Sequence, residues 1–485
     1  MKLSQLLEGV AVRECRADGT LEISGVSYDS RRTKEGDLFV AMAGYETDGH
    51  KYIPMARERG AVCVLCQGRP STDVPYVLVE DSRLALAQVG RTWYGDPAAA
   101  MTMVGVTGTN GKTTTTYLLK DILEQAAGAR VGLIGTNQNM IGGEALPTER
   151  TTPESFELQG LLRRMADAGC THVVMEVSSH ALYLKRVEGI HFAVGIFTNL
   201  TQDHLDFHKT MENYCDAKAL LFTRCGVGVY NADDPWAPRL MEGATCQKVS
   251  IGEREADLTA RHIHLDAEGV AFDAVTAQES VPVHVGIPGG FMVYNTLGVL
   301  AAARALGVPL SDSARVLRRS AHVKGRVEVV PTPGDYTLLI DYAHTPDALE
   351  NVLTSARGFA QGRVVVLFGC GGDRDRTKRP KMGRIASDLA DFVIVTSDNP
   401  RTEDPEAIIQ EILAGMADTA TPYAVVPDRV AAIRYAMDHA RRGDVIILAG
   451  KGHETYQIVG REKRHLDERE VVADYIRQLQ QKERA

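Results

Sequence analysis

The run Val104-Gly-Val-Thr-Gly-Thr-Asn-Gly-Lys-Thr-Thr114 gathers the residue types that hold a phosphate. Gly108 and Gly111 let backbone N–H groups approach an anion closely. Lys112 is spaced to reach β- and γ-phosphates, and Thr113 to ligate Mg²⁺. The apolar residues 101–106 predict a buried strand, and a helical stretch follows through Gln125. The new helix turns its positive end toward the same anion. The strand–loop–helix plan is that of a phosphate-binding loop. One position departs from the common form: Val106 stands where the usual loop begins with Gly. The cradle is thereby shortened to Thr107-Gly-Thr-Asn110.

Two further clusters could work on the same phosphate. Met175-Glu-Val-Ser-Ser-His180 and Thr198-Asn-Leu-Thr-Gln-Asp-His-Leu-Asp206 each follow a strand-like run. Parallel strands of one sheet end together, so Glu176 and His204 can face the phosphate loop. Glu176 and Thr113 offer the hard oxygen ligands that Mg²⁺ takes. His204 suits a second metal or a bound phosphate; taken alone it reads as a hydrogen-bonded structural histidine. Lys218 lies among apolar neighbours in Asn213-Tyr-Cys-Asp-Ala-Lys-Ala-Leu-Leu-Phe222. A lysine so placed on a helix ordinarily snorkels, and the residues around it assign no role.

Four more clusters follow four strand-like runs in the last third of the chain. They are Asp341-Tyr-Ala-His-Thr-Pro-Asp347, Gly369-Cys-Gly-Gly-Asp-Arg-Asp375, Ser397-Asp-Asn-Pro-Arg401 and Gly450-Lys-Gly-His-Glu454. In an open α/β sheet, ligands collect outside the carboxyl ends of the strands. Four charged clusters at four strand ends therefore read as one constellation.

These groups need three scaffolds to position them. A chain of 485 residues fits roughly three domains of ~150 residues. Residues 1–97 carry short strand-like runs at 25–28, 37–42, 62–65 and 76–79, and end at the turn signal Tyr94-Gly-Asp-Pro97. They predict a small mixed α/β domain. Residues 98–329 alternate strands (101–106, 131–134, 172–177, 193–198, 227–231) with helical stretches. That predicts a central, P-loop-like parallel sheet with helices on both faces. Residues 246–285 read as an antiparallel patch grafted on. After Pro331-Thr-Pro-Gly334, residues 330–485 predict a Rossmann-like α/β domain. The net charge of −9 argues against a general nucleic-acid or anionic-membrane binder. No apolar run approaches the ~18 residues of a membrane span, and MKLSQLLEGV is too short and polar for a signal peptide. A soluble, cytoplasmic protein is expected. Eight cysteines are scattered. Cys63 and Cys66, the one close pair, read as buried thiols rather than metal ligands.

Four motifs together resemble the Mur ligase family, which adds amino acids to the peptidoglycan precursor at the expense of ATP. They are Thr107-Gly-Thr-Asn-Gly-Lys-Thr113, Glu176-Val-Ser-Ser-His180, Asn199-Leu-Thr-Gln-Asp-His204 and Asp341-Tyr-Ala-His-Thr-Pro346. Ser27-Tyr-Asp-Ser-Arg31, Gly36-Asp-Leu-Phe-Val40 and Asp48-Gly-His50 are similar to the family's UDP-sugar domain. Asp398-Asn-Pro-Arg401 is similar to the motif of the member that adds meso-diaminopimelate. The likeness spans nearly the whole chain.

The resemblance implies a role for each matching residue. Gly108, Thr109, Asn110, Gly111, Lys112, Thr113 and Thr114 would hold the ATP phosphates. Asn295, Arg326 and Asp341 match adenine, phosphate and ribose contacts. Glu176 and His204 match metal-site residues beside Thr113. Lys218 matches a lysine that the family carbamylates with CO₂, which turns a cation into an anion able to ligate a second Mg²⁺. Lys112, Glu176, His204 and Lys218 would thus form the catalytic set. Thr151, Thr152, Ser178 and Arg186 match contacts to the muramoyl-dipeptide. Tyr28, Ser30, Tyr45, Glu46 and Thr47 fall where uridine and sugar are held. Arg374, Asp398, Asn399, Pro400, Arg401, Gly450 and Glu454 match the diaminopimelate site. The implied substrates are UDP-N-acetylmuramoyl-L-alanyl-D-glutamate, ATP and meso-diaminopimelate, handled by a monomer with neither nucleic acid nor membrane as partner. The implied reaction is attack of the D-glutamate γ-carboxylate on ATP, then capture of the acyl phosphate by the amine. Two other readings stay open: a relative extending folate or adding another amino acid, and a nucleotide-binding switch without ligase activity. The N-terminal unit argues against the folate role, Asp398-Asn-Pro-Arg401 against lysine addition, and the presence of Glu176 and Lys218 against the switch.

Overall fold

The computed structural model describes residues 1–484 apart from Tyr45, Glu46, Glu149, Ala321 and His322. Tyr45 and Glu46, two of the residues expected at the uridine and sugar site, thus lie outside the described residues. Three sheets and one hairpin organise the chain.

The first sheet runs Val12–Arg16, Tyr76–Val79, Cys63–Cys66, Asp37–Val40, Gly25–Ser27 in spatial order. Its first pair is antiparallel and the others are parallel. Asp37–Val40 and Cys63–Cys66 are buried at every residue, as inner strands of a covered parallel sheet must be. Both cysteines sit in that core, where burial pushes their thiols up to about 12 and about 11. Val12–Arg16 was not foreseen. It is a charged, mostly exposed edge strand with no apolar alternation to mark it.

Eleven strands form the central sheet. Seven of them, from Leu258–Asp266 across to Val131–Ile134, pair in parallel. Two antiparallel strands close each flank. Residues 246–285, expected as a grafted antiparallel patch, instead continue the same sheet and are antiparallel only in their later part. Gln247–Gly252 pairs in parallel with Cys225–Asn231, and the chain turns antiparallel only after Leu258–Asp266. The polar, half-exposed start of Gln247–Gly252 hides it as a parallel strand. Side-chain alternation splits the core between the two faces. Val104 and Val106 pack under the helices Lys112–Gln125, Phe291–Ala305 and Leu310–Leu317, whereas Met103 packs under Ser155–Asp167 and Met211–Ala219.

The third sheet runs Glu328–Val330, Thr337–Asp341, Val445–Ala449, Val364–Phe368, Phe392–Val395, Tyr423–Val425. Only its first pair is antiparallel. Pro346–Arg357, Lys378–Leu389 and Pro405–Ala414 cover one face; Arg429–Asp438 and Glu468–Arg484 cover the other. The four strands foreseen from their polar ends are therefore four adjacent strands, and their loops meet at one edge. A hairpin of Tyr456–Val459 and Glu462–His465 adds to that edge. Among the described residues, no helix is long and apolar enough to cross a membrane.

Candidate active site

Strand order builds the first half of the site. Thr102–Thr107 lies between His172–Glu176 and Phe192–Phe197, so Glu176 and the loop after Phe197 flank the phosphate loop. The two loop glycines have no substitute. Gly108 has φ +148°, and a Cβ there would sit 1.9 Å from Thr198 Oγ1. Gly111 has φ +86°, and its Cβ would sit 2.3 Å from Asn295 Oδ1. The helix starts at Lys112, whose Nζ donates to the carbonyls of Gly108 (2.9 Å) and Thr109 (2.8 Å). Thr113 Oγ1 donates to Glu176 Oε1 at 2.9 Å and accepts from Arg326 Nη2 at 3.2 Å. Glu176 is buried and also accepts from the Thr136 backbone N–H and hydroxyl, each at 2.9 Å.

Lys218 does not snorkel. It is 1% exposed, and its Nζ donates to Gly108 O at 2.9 Å, the same carbonyl that Lys112 uses. The helix Met211–Ala219 carries it inward against the Tyr214 ring, 4.4 Å from the centroid. Among the described residues neither lysine forms an ion pair. Burial lowers the pKa of both, that of Lys218 well below the usual lysine value, and Lys112 lowers it further. Uncompensated burial of an ammonium disfavours the charged form.

His204 takes a left-handed backbone (φ +54°) just before the short helix Leu205–His208. Its ring meets His180 edge-on with centroids 4.8 Å apart, and its Nε2 lies 3.4 Å from Asp203 Oδ2. Burial lowers the pKa of His204, and burial together with the neighbouring histidines pushes His180 and His208 down to about 4. These rings are neutral at pH 7 and keep a lone pair for a cation or a donor. Among the described residues, no three His, Cys, Asp or Glu side chains converge to hold a metal alone. Oxygen donors from Thr113 and Glu176 nonetheless suit Mg²⁺, which characteristically completes its shell with phosphate and water.

The central and third sheets share a cavity of about 560 Å³, lined by Thr109, Asn110, Gly111, Lys112, Thr113, Thr114, Thr151, Glu176, His204, Asn295, Arg326 and Asp341. Gly108 and Lys218 lie behind this lining. Asn295 is buried on Phe291–Ala305. Asp341 accepts from the N–H groups of Val327 and Ala343, both at 2.8 Å, and so ties the incoming linker to the strand end. Arg326 stacks over Tyr342 at 4.9 Å. Thr136, Asn199, Thr201 and Asp347 also line this region or brace it. Asp347 Oδ2 accepts from Asn110 Nδ2 and Thr201 Oγ1, both at 2.7 Å. Asn199, Thr201 and Asp347 lie inside the clusters read from the sequence and Thr136 outside them, but none has a role of its own there, because each gains its meaning from a partner far away in sequence.

Thr151, Thr152, Ser178 and Arg186 form a second group beside Glu176. Thr151 and Thr136 hydroxyls lie 3.0 Å apart. Thr152 Oγ1 donates to Glu176 O at 2.9 Å and accepts from Ser178 N at 3.2 Å. Ser178 caps the helix Ser179–Tyr183. Arg186 donates to Thr152 O at 3.1 Å and pairs with Glu154 at 3.2 Å, which Arg83 also approaches at 3.5 Å. Arg83 and Glu154 were not foreseen. Tyr28 stands beside Glu157, and its burial with that charge raises its pKa. Ser30 is buried with its hydroxyl on Met55 Sδ at 3.3 Å, and Thr47 is exposed, 3.3 Å from the Tyr52 hydroxyl. No described hydrogen bond joins Ser30 or Thr47 to the Thr151–Arg186 group.

The third group gathers at the edge of the last sheet. Gly450 (φ +112°) approaches Asp398 so closely that a Cβ would lie 2.8 Å from Oδ2. Asn399 donates to Glu454 Oε2 at 3.0 Å and accepts from Lys451 Nζ at 3.2 Å and Ile458 N at 2.9 Å. Lys451, fully buried and part of the Gly450–Glu454 cluster though given no role of its own in the sequence, also reaches Glu454 (3.1 Å) and Asp398 (3.7 Å). Pro400 is buried. Arg401 has φ +51° and donates one Nη to Gly372 O at 2.7 Å. Arg374 is exposed and donates to Asp373 O at 2.9 Å. A Cβ on Gly371 would lie 2.9 Å from Arg401 Nη1 and 3.9 Å from Arg374 Cγ, so both arginines flank one glycine.

Three family profiles match in chain order: the "Mur ligase family, catalytic domain" over residues 22–94, the "Mur ligase middle domain" over 106–303 and the "Mur ligase, glutamate ligase domain" over 325–452. The chain belongs to the Mur ligase family. This Mur ligase is 47% identical over 467 residues to the UDP-N-acetylmuramoyl-L-alanyl-D-glutamate--2,6-diaminopimelate ligase of Clostridium botulinum, covering 94% of this chain and 96% of that one. A solved structure of a UDP-N-acetylmuramoyl-L-alanyl-D-glutamate--2,6-diaminopimelate ligase superposes with TM-score 0.71 at 30% identity, over 99% of each chain. The fold is also that of the MurF ligase of Thermotoga maritima in complex with ADP, with TM-score 0.61 at 21% identity over 95% of this chain and 99% of that one.

Proposed function

We propose that this Mur ligase joins meso-diaminopimelate to the D-glutamate γ-carboxylate of UDP-N-acetylmuramoyl-L-alanyl-D-glutamate, at the expense of ATP. The observation that carries the reading is the half-buried Lys112 and the fully buried Lys218 sharing the Gly108 carbonyl beside Glu176 and Thr113. Such a pair calls for an anion.

ATP phosphates would be held by the N–H groups of Gly111, Lys112, Thr113 and Thr114, with Thr109 and Asn110, whose own N–H groups donate to Asn199, shaping the loop, and with the Lys112 ammonium exchanging its loop carbonyls for phosphate oxygens. Arg326 stands beside Thr113 to take a share of that charge. Asn295 and Asp341, which line the same cavity, would meet the adenine and ribose. Thr113, Glu176 and His204 would hold Mg²⁺, and Lys218 as its carbamate a second ion. Bound there, the ions would neutralise charge on the transferring phosphoryl group. The depressed pKa of Lys218 favours the neutral amine that attacks CO₂.

Thr151, Thr152, Ser178 and Arg186 would hold the dipeptide so that its γ-carboxylate faces the γ-phosphate. Tyr28, Ser30 and residues 45–47 would hold the nucleotide-sugar end. The carboxylate oxygen attacks phosphorus, and ADP departs. The amine of the incoming amino acid attacks the acyl phosphate carbon, and the tetrahedral intermediate expels phosphate to leave an amide. Fixing three substrates in one cavity supplies much of the rate. Arg374, Arg401, Asp398, Asn399, Pro400, Gly450 and Glu454 would receive the diaminopimelate. The reading takes the enzyme as a monomer that works in the cytoplasm, where ATP is supplied. Phosphate release with ATP and the UDP-muramoyl-dipeptide, compared across candidate amino acids, tests the reading. Release stimulated by meso-diaminopimelate and not by lysine is expected. Stimulation by lysine alone, or by none, would overturn it.

A further inference from the structure

The two loops that carry Arg374 and Arg401 are held by a residue that touches neither guanidinium. Arg379 lies on Lys378–Leu389 and is fully buried. Its two terminal nitrogens grip Glu403 as a fork, Nη1 to Oε2 at 2.9 Å and Nη2 to Oε1 at 2.8 Å. Nη1 also donates to Glu411 Oε2 at 2.8 Å, and Nη2 to Gly371 O at 3.2 Å. Glu403 in turn accepts the Asp373 N–H at 2.5 Å. One Arg–Glu pair thus clamps residues 371–373 of the first loop to residue 403 of the second.

Further ties set the register between the loops. Gly372 N donates to Asn399 O at 2.9 Å, and the Asp373 carboxylate accepts from the Thr402 hydroxyl at 2.7 Å. A Cβ at Gly372 would lie 1.9 Å from Pro400 O, so the loops touch backbone to backbone. Asp373 and Arg401 both take positive φ, +53° and +51°. For non-glycine residues that conformation persists only where the surroundings enforce it. Arg379 holds the Glu403 carboxyl down to about 2, so the pair stays ionised across the working range.

We propose that Arg379 and Glu403 are positioning residues for amino-acid selection. Their fork fixes the spacing of the Arg374 and Arg401 loops, and that spacing discriminates a distal carboxylate from a bare ammonium. The inference rests on the diaminopimelate reading above. A bidentate Arg–carboxylate pair imposes planarity and direction that Lys or Gln cannot reproduce.

Steady-state kinetics of Arg379→Lys and Glu403→Gln test it, with melting temperatures measured alongside. Glu403 is partly solvent-exposed, so Glu403→Gln keeps a readout if Arg379→Lys folds poorly. In both variants KM for meso-diaminopimelate should rise about 10-fold, as expected for one lost charge-assisted bond. Preference over lysine should fall by the same factor, while KM for ATP and for the UDP-linked substrate stays put. Arg376→Ala, which removes a surface partner of Glu411, should leave all three constants unchanged. An unaltered diaminopimelate KM in Glu403→Gln, or all three KM values rising together with a fallen melting temperature, overturns the proposal. A wild type that releases no phosphate in response to diaminopimelate overturns the underlying reading and the inference with it.

Discussion

Lys218 and Arg379 are both fully buried basic side chains, and their surroundings differ in kind. Arg379 meets two carboxylates and a carbonyl, so its charge is already matched. Lys451 nearby is matched in the same way by Asp398, Asn399 and Glu454. Lys218 and Lys112 meet no carboxylate among the described residues; both donate to carbonyl oxygens, they share one of them, and Lys218 also packs on the Tyr214 ring. A buried charge without a counter-charge is costly. The central site therefore keeps a demand for anions, whereas the amino-acid site has spent its buried cations on its own framework. What recognises a ligand differs accordingly: the unmatched lysines Lys112 and Lys218 in the first region, the exposed Arg374 and half-buried Arg401 in the second.

The sharpest way to break this contrast is to remove an unmatched cation. Lys112→Ala should reduce phosphate release by about 10³-fold, the scale of losing a main electrostatic stabiliser of the transferring group. Its melting temperature should not fall, because the removed ammonium had no counter-charge. Near-normal turnover would refute the phosphate-loop reading. Lys218→Ala should cost about 10²-fold or more by the same reasoning, and short carboxylates such as acetate should restore part of it by standing in for the carbamate. Mass spectrometry showing a bare and fully active Lys218 would contradict that account. Stability gives an independent readout. The folded pKa of Lys218 lies below its unfolded value. Between the two, the unfolded chain binds the extra proton, so stability rises with pH through that window. In CO₂-free buffer, Lys218→Met should melt above wild type at neutral pH, and the gap should close toward the ordinary lysine pKa. A constant gap would mean that Lys218 carries no such penalty.

The unmatched lysines were only half legible in the sequence. Lys112 announces itself through Gly108 and Gly111, because a phosphate loop needs local spacing and a strand–turn–helix context. Lys218 has no local mark. Its apolar neighbours suggested a snorkelling stem, and only the packing of Met211–Ala219 against the phosphate loop turns it inward. The strands of the central and last sheets were readable from apolar runs that end in polar clusters. Val12–Arg16 was not, being a charged edge strand, and neither was the parallel pairing of Gln247–Gly252. The framework of the amino-acid site was the least readable part. Arg379 and Glu403 are ordinary charged residues in sequence, Lys451 has only its place in the Gly450–Glu454 cluster, and the roles of all three come from contacts made across loops.

On the matched side, Arg401 should govern which amino acid enters. One of its nitrogens is committed to Gly372 O, which orients the fork and leaves the remaining N–H groups for a carboxylate. Charge-assisted hydrogen bonds contribute roughly 1.5–3 kcal/mol each, so Arg401→Ala should lose on the order of 10²-fold in kcat/KM for diaminopimelate. Lysine should gain relative to it. An unchanged preference in the mutant, or a wild type that favours lysine, would sink the assignment.

The smallest effect should come from the tie between the two regions. Asp347 lies in the first turn of the helix Pro346–Arg357 on the amino-acid side, yet its Oδ2 accepts from Asn110 in the phosphate loop and from Thr201 beyond it. Thr201 N donates in turn to Thr109 Oγ1 at 3.0 Å, and that hydroxyl lies 3.2 Å from Tyr214 OH, on the helix that carries Lys218. One carboxylate thus couples the position of the last sheet to the loop that holds phosphate. Asp347→Asn keeps the shape and one acceptor oxygen but loses the charge. Weakening two such bonds without abolishing them should cost about 1–2 kcal/mol, or roughly 10-fold in kcat/KM for ATP. Thr201→Val should act in the same direction, and the double variant should fall short of the product of the two, since both remove one shared interaction. Fully multiplicative losses, or an unchanged kcat/KM in Asp347→Asn, would show that the phosphate loop is set without help from the amino-acid side.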